Sequence, residues 1–320
     1  MTEDVAVIIV TYNSANCIAA AVEACLRQGL QVCVVDNASV DGTLAEVPED
    51  RRVRVVASAE NLGFAGGVNR GVRETAAPYL LLLNPDTELL EPIGLLVTAI
   101  VEKGHNAAAG LLVDAKGSPQ KGFSFRRLPS PAALAFEVLG INRIWPANPV
   151  NRRYRCLDLD PLQPQAVEQP AGACMLFRRD DWERLGGFDE GFFPVWFEDV
   201  DFCRRLLNNG GTIWFTPSVR VRHDGGHSVQ KIEFGCRQRF WYGSLLKYAA
   251  KHFRPLSRRN VAVVVALAVV PRVLFGRDGG RIRSRLYSIK FIWRMAWRCC
   301  HSGLLKLERP AEQHEKPGKS

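Results

Sequence analysis

The stretch Tyr79-Leu80-Leu81-Leu82-Leu83-Asn84-Pro85-Asp86 constrains the fold most. Four consecutive leucines with no polar break predict a short strand buried on both faces. Asn84-Pro85 ends it, because proline has no N–H for a sheet ladder and restricts the residue before it. Asp86 is then held at the carboxyl end of a buried strand, the edge where open α/β sheets bind ligands. A carboxylate there can hold a hard divalent cation, and the cation can hold a diphosphate. Asn-Pro-Asp also has the composition of a plain turn.

Upstream, Val5-Ala6-Val7-Ile8-Ile9-Val10 is a continuous apolar run of the buried parallel-strand kind. Thr11-Tyr12-Asn13-Ser14 ends it, and Asn13 or Ser14 can cap the next helix. Ile18, Val22, Cys25 and Leu26 recur at helical spacing over 18–28, and Gly29 stops them. Residues 31–35 and 53–57 read as two more strands. The order β-α-β-α-β argues for a right-handed parallel sheet of nucleotide-binding type. Asp36 stands where the second strand stops. It can accept a nucleobase N–H while Tyr12 packs on the base, or it can cap a helix over 43–47. In the run from Asn61 to Gly71, Gly66-Gly67 lets backbone approach a ligand closely, as a diphosphate cradle requires. The run is neither a G-x-G-x-x-G loop nor a P-loop.

Four of these motifs occur in collinear order: Thr11-Tyr12-Asn13, Val35-Asp36-Asn37-Ala38-Ser39-x-Asp41-Gly42, Asn61-x-Gly63-Phe64-Ala65-x-Gly67-x-Asn69-x-Gly71 and Leu83-Asn84-Pro85-Asp86. Together they resemble the family 2 glycosyltransferases of GT-A fold, over residues 5–230. Asn-Pro-Asp stands where that family usually has Asp-x-Asp. The chain is similar to the branch of bacterial rhamnosyltransferases and galactofuranosyltransferases. The resemblance implies a nucleotide-diphosphate sugar donor on Thr11, Tyr12, Asn13, Asp36, Asn61, Gly66, Gly67, Asn69 and Asn84. It implies Mg²⁺ or Mn²⁺ on Asp86.

Residues 119–170 hold eight of the chain's 18 prolines and read as loops and short helices. They form either a binding wall or a plain insertion. Cys174–Phe177 reads as a strand, 180–185 as a helix, and Gly186-Gly187 as its stop. The run Gly186-Gly187-Phe188-Asp189-Glu190-x-Phe192-Phe193, followed by Glu198-Asp199-x-Asp201, resembles the acceptor-side motif of the same family. That resemblance puts Asp199 in the catalytic base position, with Glu198 beside it. Independently, the aromatic residues of 192–197 would raise a neighbouring carboxylate's pKa, and three acids within four residues repel one another. The other reading places the acids at a helix N-terminus, where the macrodipole favours them, and this is expected of Asp201. His223 follows a strand and is either structural or, by the resemblance, the partner of Asp86 on the metal. Imidazole beside carboxylate suits Mn²⁺ as well as Mg²⁺. His227 could instead face the acceptor.

Charge divides the chain. Residues 231–320 carry 20 Lys and Arg against five Asp and Glu, whereas the body is mildly acidic, for a net of +9. A basic tail on an acidic body implies an anionic partner. The uncharged run over 260–271 is too short to span a bilayer as a helix, which needs about 20 residues. Ile282, Leu286, Ile289, Trp293, Trp297, Cys300 and Leu304 share one helical face, and Arg283, Lys290, Arg294 and Arg298 line another. This is the pattern of a helix lying in a membrane interface, or of one packed on the body. Nine cysteines without a C-x-x-C pair, and an acidic start running straight into a strand, predict reduced thiols in a cytosolic protein.

The expectation is a GT-A-type α/β domain over 1–230, its donor half about 1–118 and its acceptor half about 119–230. A basic helical region over 231–320 follows, with a disordered end at 309–320. The expected function is an inverting glycosyltransferase, best read as moving L-rhamnose from dTDP-rhamnose to a polyprenyl-diphosphate-linked glycan. The enzyme is expected to sit peripherally on the anionic inner face of the cell membrane, without a nucleic-acid partner. Two rivals stand beside it: a nucleotidyltransferase, which wants a basic Gly-rich loop that Thr11–Ser14 does not offer, and a non-enzymatic module for anionic surfaces.

Overall fold

The computed structural model describes residues 4–225, 232–274 and 282–302. His227, Leu304 and the 309–320 end lie outside them. The first half builds β1 (Val5–Thr11), α1 (Ile18–Arg27), β2 (Gln31–Asp36), β3 (Val53–Ala57), α2 (Gly63–Arg73), β4 (Tyr79–Leu83), β5 (Thr87–Leu89), α3 (Gly94–Val101) and β6 (Ala107–Val113). The proline-rich excursion adds two-residue strands β7 (Phe125–Arg126), β8 (Gln165–Ala166) and β9 (Gln169–Pro170), and helices α4 (Pro131–Val138), α5 (Ile141–Ile144) and α6 (Pro149–Tyr154). Then come β10 (Cys174–Arg178), α7 (Arg179–Leu185), α8 (Glu198–Asn208) and β11 (Ile213–His223). Three long helices follow, α9 (Phe234–His252), α10 (Pro255–Leu274) and α11 (Ile282–His301).

The main sheet has the order β3-β2-β1-β4-β10-β6-β11-β5, with β8 beside β11. Six of its nine strands point one way, while β10, β5 and β8 run against them. The apolar runs read from the sequence are its centre. β1 is buried throughout, and so is β4 from Leu80 to Leu83. One face packs on α1 and α3 through Val22, Cys25, Leu96 and Ile100. The other packs on α2, α7 and α8 through Val68, Trp182, Phe202 and Leu206. All nine cysteines are free thiols. Burial pushes Cys25 and Cys174 up to about 12, so both pack as small hydrophobes.

Residues 63–73 form a helix rather than a ligand loop, which corrects the cradle reading of Gly66 and Gly67. A Cβ on Gly67 would meet Val10 Cγ1 at 2.6 Å, and one on Gly66 would meet Leu62 Cβ at 3.0 Å. Gly67 lets α2 lie close on β1, while Gly66 packs on Leu62 and faces Glu190. Asn69 is also corrected. Its amide donates to Phe188 O at 2.9 Å and Glu190 Oε1 at 3.0 Å and accepts the Phe188 N–H at 3.0 Å, so it struts the two halves together.

The tail helices share a core with the α/β body. Leu134 and Val138 of α4, Phe192, Phe197 and Val200 pack with Tyr242, Leu246, Val265, Ile292 and Cys299. The stripe expected on α11 divides accordingly. Ile289 turns inward with Ile292, Met295 and Ala296, while Leu286, Trp293 and Trp297 stay at least half exposed. Asp201 stands in the first turn of α8, as expected, and is in addition fully buried, 2.8 Å from Arg205 Nε and Lys251 Nζ and 2.7 Å from His252 Nε2. Lys251 and Lys247 also hold Asp189, at 2.9 and 2.8 Å. One buried carboxylate thus ties α8 to α9.

Burial raises the Asp201 carboxyl, but the His252 hydrogen bond, Arg205 and Lys251 outweigh it, so the net shift is downward. A carboxyl depressed on folding contributes stability above its unfolded value of about 3.9 and loses it as pH falls through the folded value. Asp201→Asn should cost about 3–5 kcal/mol by leaving buried cations uncompensated. Thermal melts should show the variant less stable at pH 7, with the gap to wild type closing as pH drops below about 4. Equal melting temperatures at pH 7 would refute the hub.

Candidate active site

The carboxyl ends of β1, β2 and β4 converge, and each carries polar residues from the sequence motifs. Asp36 is 1% exposed. Its Oδ1 accepts the Thr11 hydroxyl at 2.8 Å and the Ser39 hydroxyl at 2.5 Å, and its Oδ2 accepts the Ser39 N–H at 2.9 Å. A carboxylate has about four acceptor sites, so this set leaves room for a base N–H. The cap alternative fails, since Asp41 Oδ1 accepts the Thr43 N–H at 3.1 Å. Thr11 is itself fully buried. Asn13, at φ 54°, accepts the Val40 N–H at 2.9 Å and donates its own N–H to Ser39 Oγ at 2.8 Å. Thr11 and Asn13 therefore shape the loop after β2. Neither Asn13 nor Ser14 caps α1 with its side chain; Ser14 O accepts from Cys17 and Ile18 instead. Tyr12 is the exposed member of that motif, at 40%. Asn61 Oδ1 accepts the Gly63 N–H at 2.8 Å and so starts α2.

Asp86 and His223 come together although 137 positions separate them in the chain. The antiparallel pairing of β5 with β11 sets Thr87 opposite His223. The Asp224 N–H reaches Asp86 O at 3.2 Å. His223 Nε2 then lies 3.8 Å from Asp86 Oδ1, with both side chains largely buried. Gln120 gives its Nε2 to His223 O at 2.7 Å, which turns its Oε1 toward His223 Nδ1 at 3.2 Å. That assignment puts the proton on Nδ1 and the imidazole lone pair on Nε2, the Asp86 side. A lone pair and a carboxylate oxygen at this distance cannot hydrogen-bond to each other. With bonds of about 2.1 Å, two ligands of one hard cation lie about 3–4 Å apart, so the pair fits such an ion. Among the described residues no third His, Cys, Asp or Glu completes a metal cluster. Phe123 stacks on His223 with centroids 5.3 Å apart and planes 10° apart.

The third corner is the start of α8. Trp196 and Phe197 both have positive φ, and the Phe64 N–H holds Pro194 O at 2.7 Å, so the loop before α8 is clamped on α2. Glu198 is 3% exposed, and its Oε2 has no hydrogen-bond partner among the described residues. Burial first, then the charges of Asp199 and Asp201, push its carboxyl well up. Asp199 is only partly covered. Its Oδ2 accepts the Gly172 N–H at 3.1 Å and lies 3.5 Å from Gln169 Nε2, and its Oδ1 accepts the Val200 N–H at 2.7 Å. Burial raises its carboxyl too, against those backbone N–H groups and the field of Arg126. Gly172 must be small, because a Cβ there would lie 3.2 Å from Asp199 Oδ2. The neighbouring Ala173 O accepts the Asn84 N–H at 3.1 Å, which ties this corner to the end of β4.

The sequence reading missed Gln120, Phe123, Arg126, Gln169 and Ser39 as site residues. The excursion's proline content signalled loops but not which side chains turn inward, and Ser39 was noted only as motif.

The model of "Glycosyl transferase family 2" matches residues 6–186, more than half of the chain. The chain belongs to glycosyl transferase family 2. A second model, "Glycosyl transferase family group 2", matches residues 163–309 of this glycosyltransferase. It is 30% identical over 246 residues to the N-acetylglucosaminyl-diphospho-decaprenol L-rhamnosyltransferase of Mycobacterium tuberculosis, covering 72% of this chain and 78% of that one. It is 30% identical over 185 residues to rhamnosyltransferase WbbL of Escherichia coli, covering 57% of this chain and 65% of that one. The low-salt glycan biosynthesis hexosyltransferase Agl10 of Haloferax volcanii is 27% identical, with 86% of each covered. Among solved structures, the mannosyltransferase PcManGT of Pyrobaculum calidifontis, in complex with GDP-Man and Mn²⁺, superposes with a TM-score of 0.52 at 17% identity. The match covers 94% of this chain and 88% of that one, and it shows the shared GT-A fold.

Proposed function

We propose that this glycosyltransferase moves L-rhamnose, with inversion, from dTDP-rhamnose to a GlcNAc unit on a polyprenyl diphosphate. The observation that carries the reading is Asp199: a partly covered carboxylate, held by the Gly172 N–H, one ladder away from the Asp86–His223 pair. The mycobacterial and Escherichia relatives are named rhamnosyltransferases, and the first is named for a diphospho-decaprenol acceptor. The hexosyltransferase relative keeps another hexose, galactofuranose included, as the second reading.

Asp199 takes the proton of the acceptor hydroxyl as that oxygen bonds to the anomeric carbon. The bond from that carbon to the donor diphosphate breaks on the opposite face, and the configuration inverts. Glu198, buried beside Asp199, is the weaker candidate for the same proton and completes the catalytic pair. Asp36 and Tyr12 hold the nucleobase, and Asn61 and Asn84 border the donor. Asp86 and His223 would hold Mg²⁺ or Mn²⁺, which when bound neutralises charge on the departing nucleoside diphosphate. Among the described residues no helix is long and apolar enough to cross a membrane. Exposed Leu286, Trp293 and Trp297 on α11, with Val263 and Leu267 on α10, support a face that lies on an anionic bilayer with Lys290 and Arg294 beside it. On this reading the enzyme works at the inner face of the cell membrane.

Asp199→Asn should keep donor binding and lose transfer by about 10²–10⁴, and Glu198→Gln should cost less. Because the base works only when ionised and its carboxyl is raised, kcat/KM should fall with acid at a pH above the ordinary Asp value of about 3.9. A reversed order of the two variants would identify Glu198 as the base.

Chelation with excess EDTA should abolish transfer, and Asp86→Ala should lower kcat by about 10²–10³. His223→Ala should raise the Mn²⁺ concentration for half activity. Full activity in EDTA would exclude the metal role.

Co-sedimentation should show binding to anionic vesicles that weakens with salt. Leu267→Ser with Trp297→Ser, at exposed positions, should weaken it while leaving the melting temperature near wild type. Binding indifferent to lipid charge and to both substitutions would remove the membrane from the reading.

A further inference from the structure

Arg126 has an arrangement that the donor, metal and base roles leave unexplained. It sits on β7, paired with Gln169 of β9, and the Gln169 amide nitrogen is the group 3.5 Å from Asp199 Oδ2. Its Nε donates to Gly122 O at 2.9 Å, which anchors the head through one edge. Its guanidinium carbon lies 5.4 Å from the Phe123 ring centre and 5.9 Å from that of Tyr154, held between two aromatic faces. Among the described residues no Asp or Glu forms an ion pair with it. The neighbouring arginines differ: Arg127 reaches Asp158 at 3.7 Å and Arg155 reaches Glu137 at 3.4 Å. Arg126 is half-buried, oriented and electrostatically unneutralised, and its field acts on Asp199. The ring under it, Phe123, is the one stacked on His223. Arg126 therefore stands between the base and the metal corner.

A fixed cation with two terminal nitrogens directed away from its anchor matches phosphate geometry. We propose that Arg126 is a diphosphate-binding residue of this active site. Two diphosphates meet there under the proposed function, on which this inference rests: the leaving nucleoside diphosphate and the one carried by the acceptor sugar. An acceptor with its diphosphate at the anomeric position brings that group within one sugar ring of the hydroxyl that Asp199 deprotonates.

The test compares the full chain with Arg126→Gln, which removes the charge, and with Arg126→Lys, which keeps the charge without the fork. Calorimetry with Mn²⁺ present measures binding of dTDP and, separately, of farnesyl diphosphate. A loss of about tenfold or more for dTDP assigns Arg126 to the donor side; the same loss for farnesyl diphosphate assigns it to the acceptor side. Arg126→Lys should recover part of whichever falls. Transfer to a prenyl-diphosphate-linked GlcNAc is then compared with transfer to an alkyl GlcNAc glycoside without phosphate. An acceptor-side role raises KM for the first acceptor alone. Arg126→Gln should also move the acid limb of kcat/KM to higher pH, which a purely structural role would not do. Unchanged affinity for both diphosphates, in a variant that melts like wild type, overturns the proposal. Should the wild type transfer no sugar to either acceptor, the proposed function falls, and the two binding measurements still decide the case of Arg126.

Discussion

The ladder between β4 and β10 sets the spacing between the end of β4 and Asp199. β10 enters the sheet against β4 and pairs Cys174 with Leu83. Ala173 and Gly172 therefore fall beside Asn84, where one accepts the Asn84 N–H and the other donates to Asp199. The corner after β4 and the carboxylate at the start of α8 are thus joined through the backbone of Gly172 and Ala173. A slip of one residue in this register would turn every β10 side chain to the other face of the sheet. Both faces are packed, so the register is strongly specified, and with it the separation of Asp199 from the end of β4.

The three acids of Glu198-Asp199-Val200-Asp201 show how environment assigns roles to like groups. Asp201 is buried and surrounded by Arg205, Lys251 and His252, so it is held as the anion and contributes structure. Glu198 is buried with an unpartnered oxygen, which favours its neutral form. Asp199 lies between these extremes, partly covered and held by backbone N–H groups. That is the compromise the proposed base role calls for, an anion stable enough to exist and not so stable that it refuses a proton.

Fold class and the placement of Asp86 and Asp199 at the ends of elements were legible because their signals are local. Val5–Val10 and Leu80–Leu83 are apolar without interruption, and only strands covered on both faces look like that. Asp86 and Asp199 stand where a strand stops or a helix begins, positions that sequence pattern marks. The glycines of 63–71 were misread because glycine permits two things, close approach to a ligand and close approach to a neighbouring strand. Only the position of Val10 shows which applies at Gly67. Asn69 misled similarly: its partner Phe188 lies 119 residues away, and no window along the chain contains both. Arg126 and Gln120 were invisible because the excursion that carries them has no periodicity from which an inward face can be read.

The tail was read as a surface helix and proved to be both surface and core. A helix with 3.6 residues per turn that packs into the groove between two others buries one stripe, and the rest of its circumference remains. On α11 the buried stripe runs through Ile289, Ile292, Met295 and Cys299, leaving Leu286, Trp293 and Trp297 outside. Trp293 donates its indole N–H to Ala266 O at 2.8 Å, so the exposed ring is held at a fixed angle to α10. The same three-helix unit reaches the Asp199 segment through α9, whose Lys247 and Lys251 grip Asp189 while Lys251 and His252 grip Asp201. Asp189 precedes the aromatic loop and Asp201 lies in α8, so the two ends of the segment carrying Asp199 are pinned to one helix. Whatever surface the outer stripe meets, Asp199 keeps a fixed distance and orientation relative to it. The proposed function, in which the sugar acceptor is held at a set height above a bilayer, calls for that rigidity more than for a deep membrane anchor.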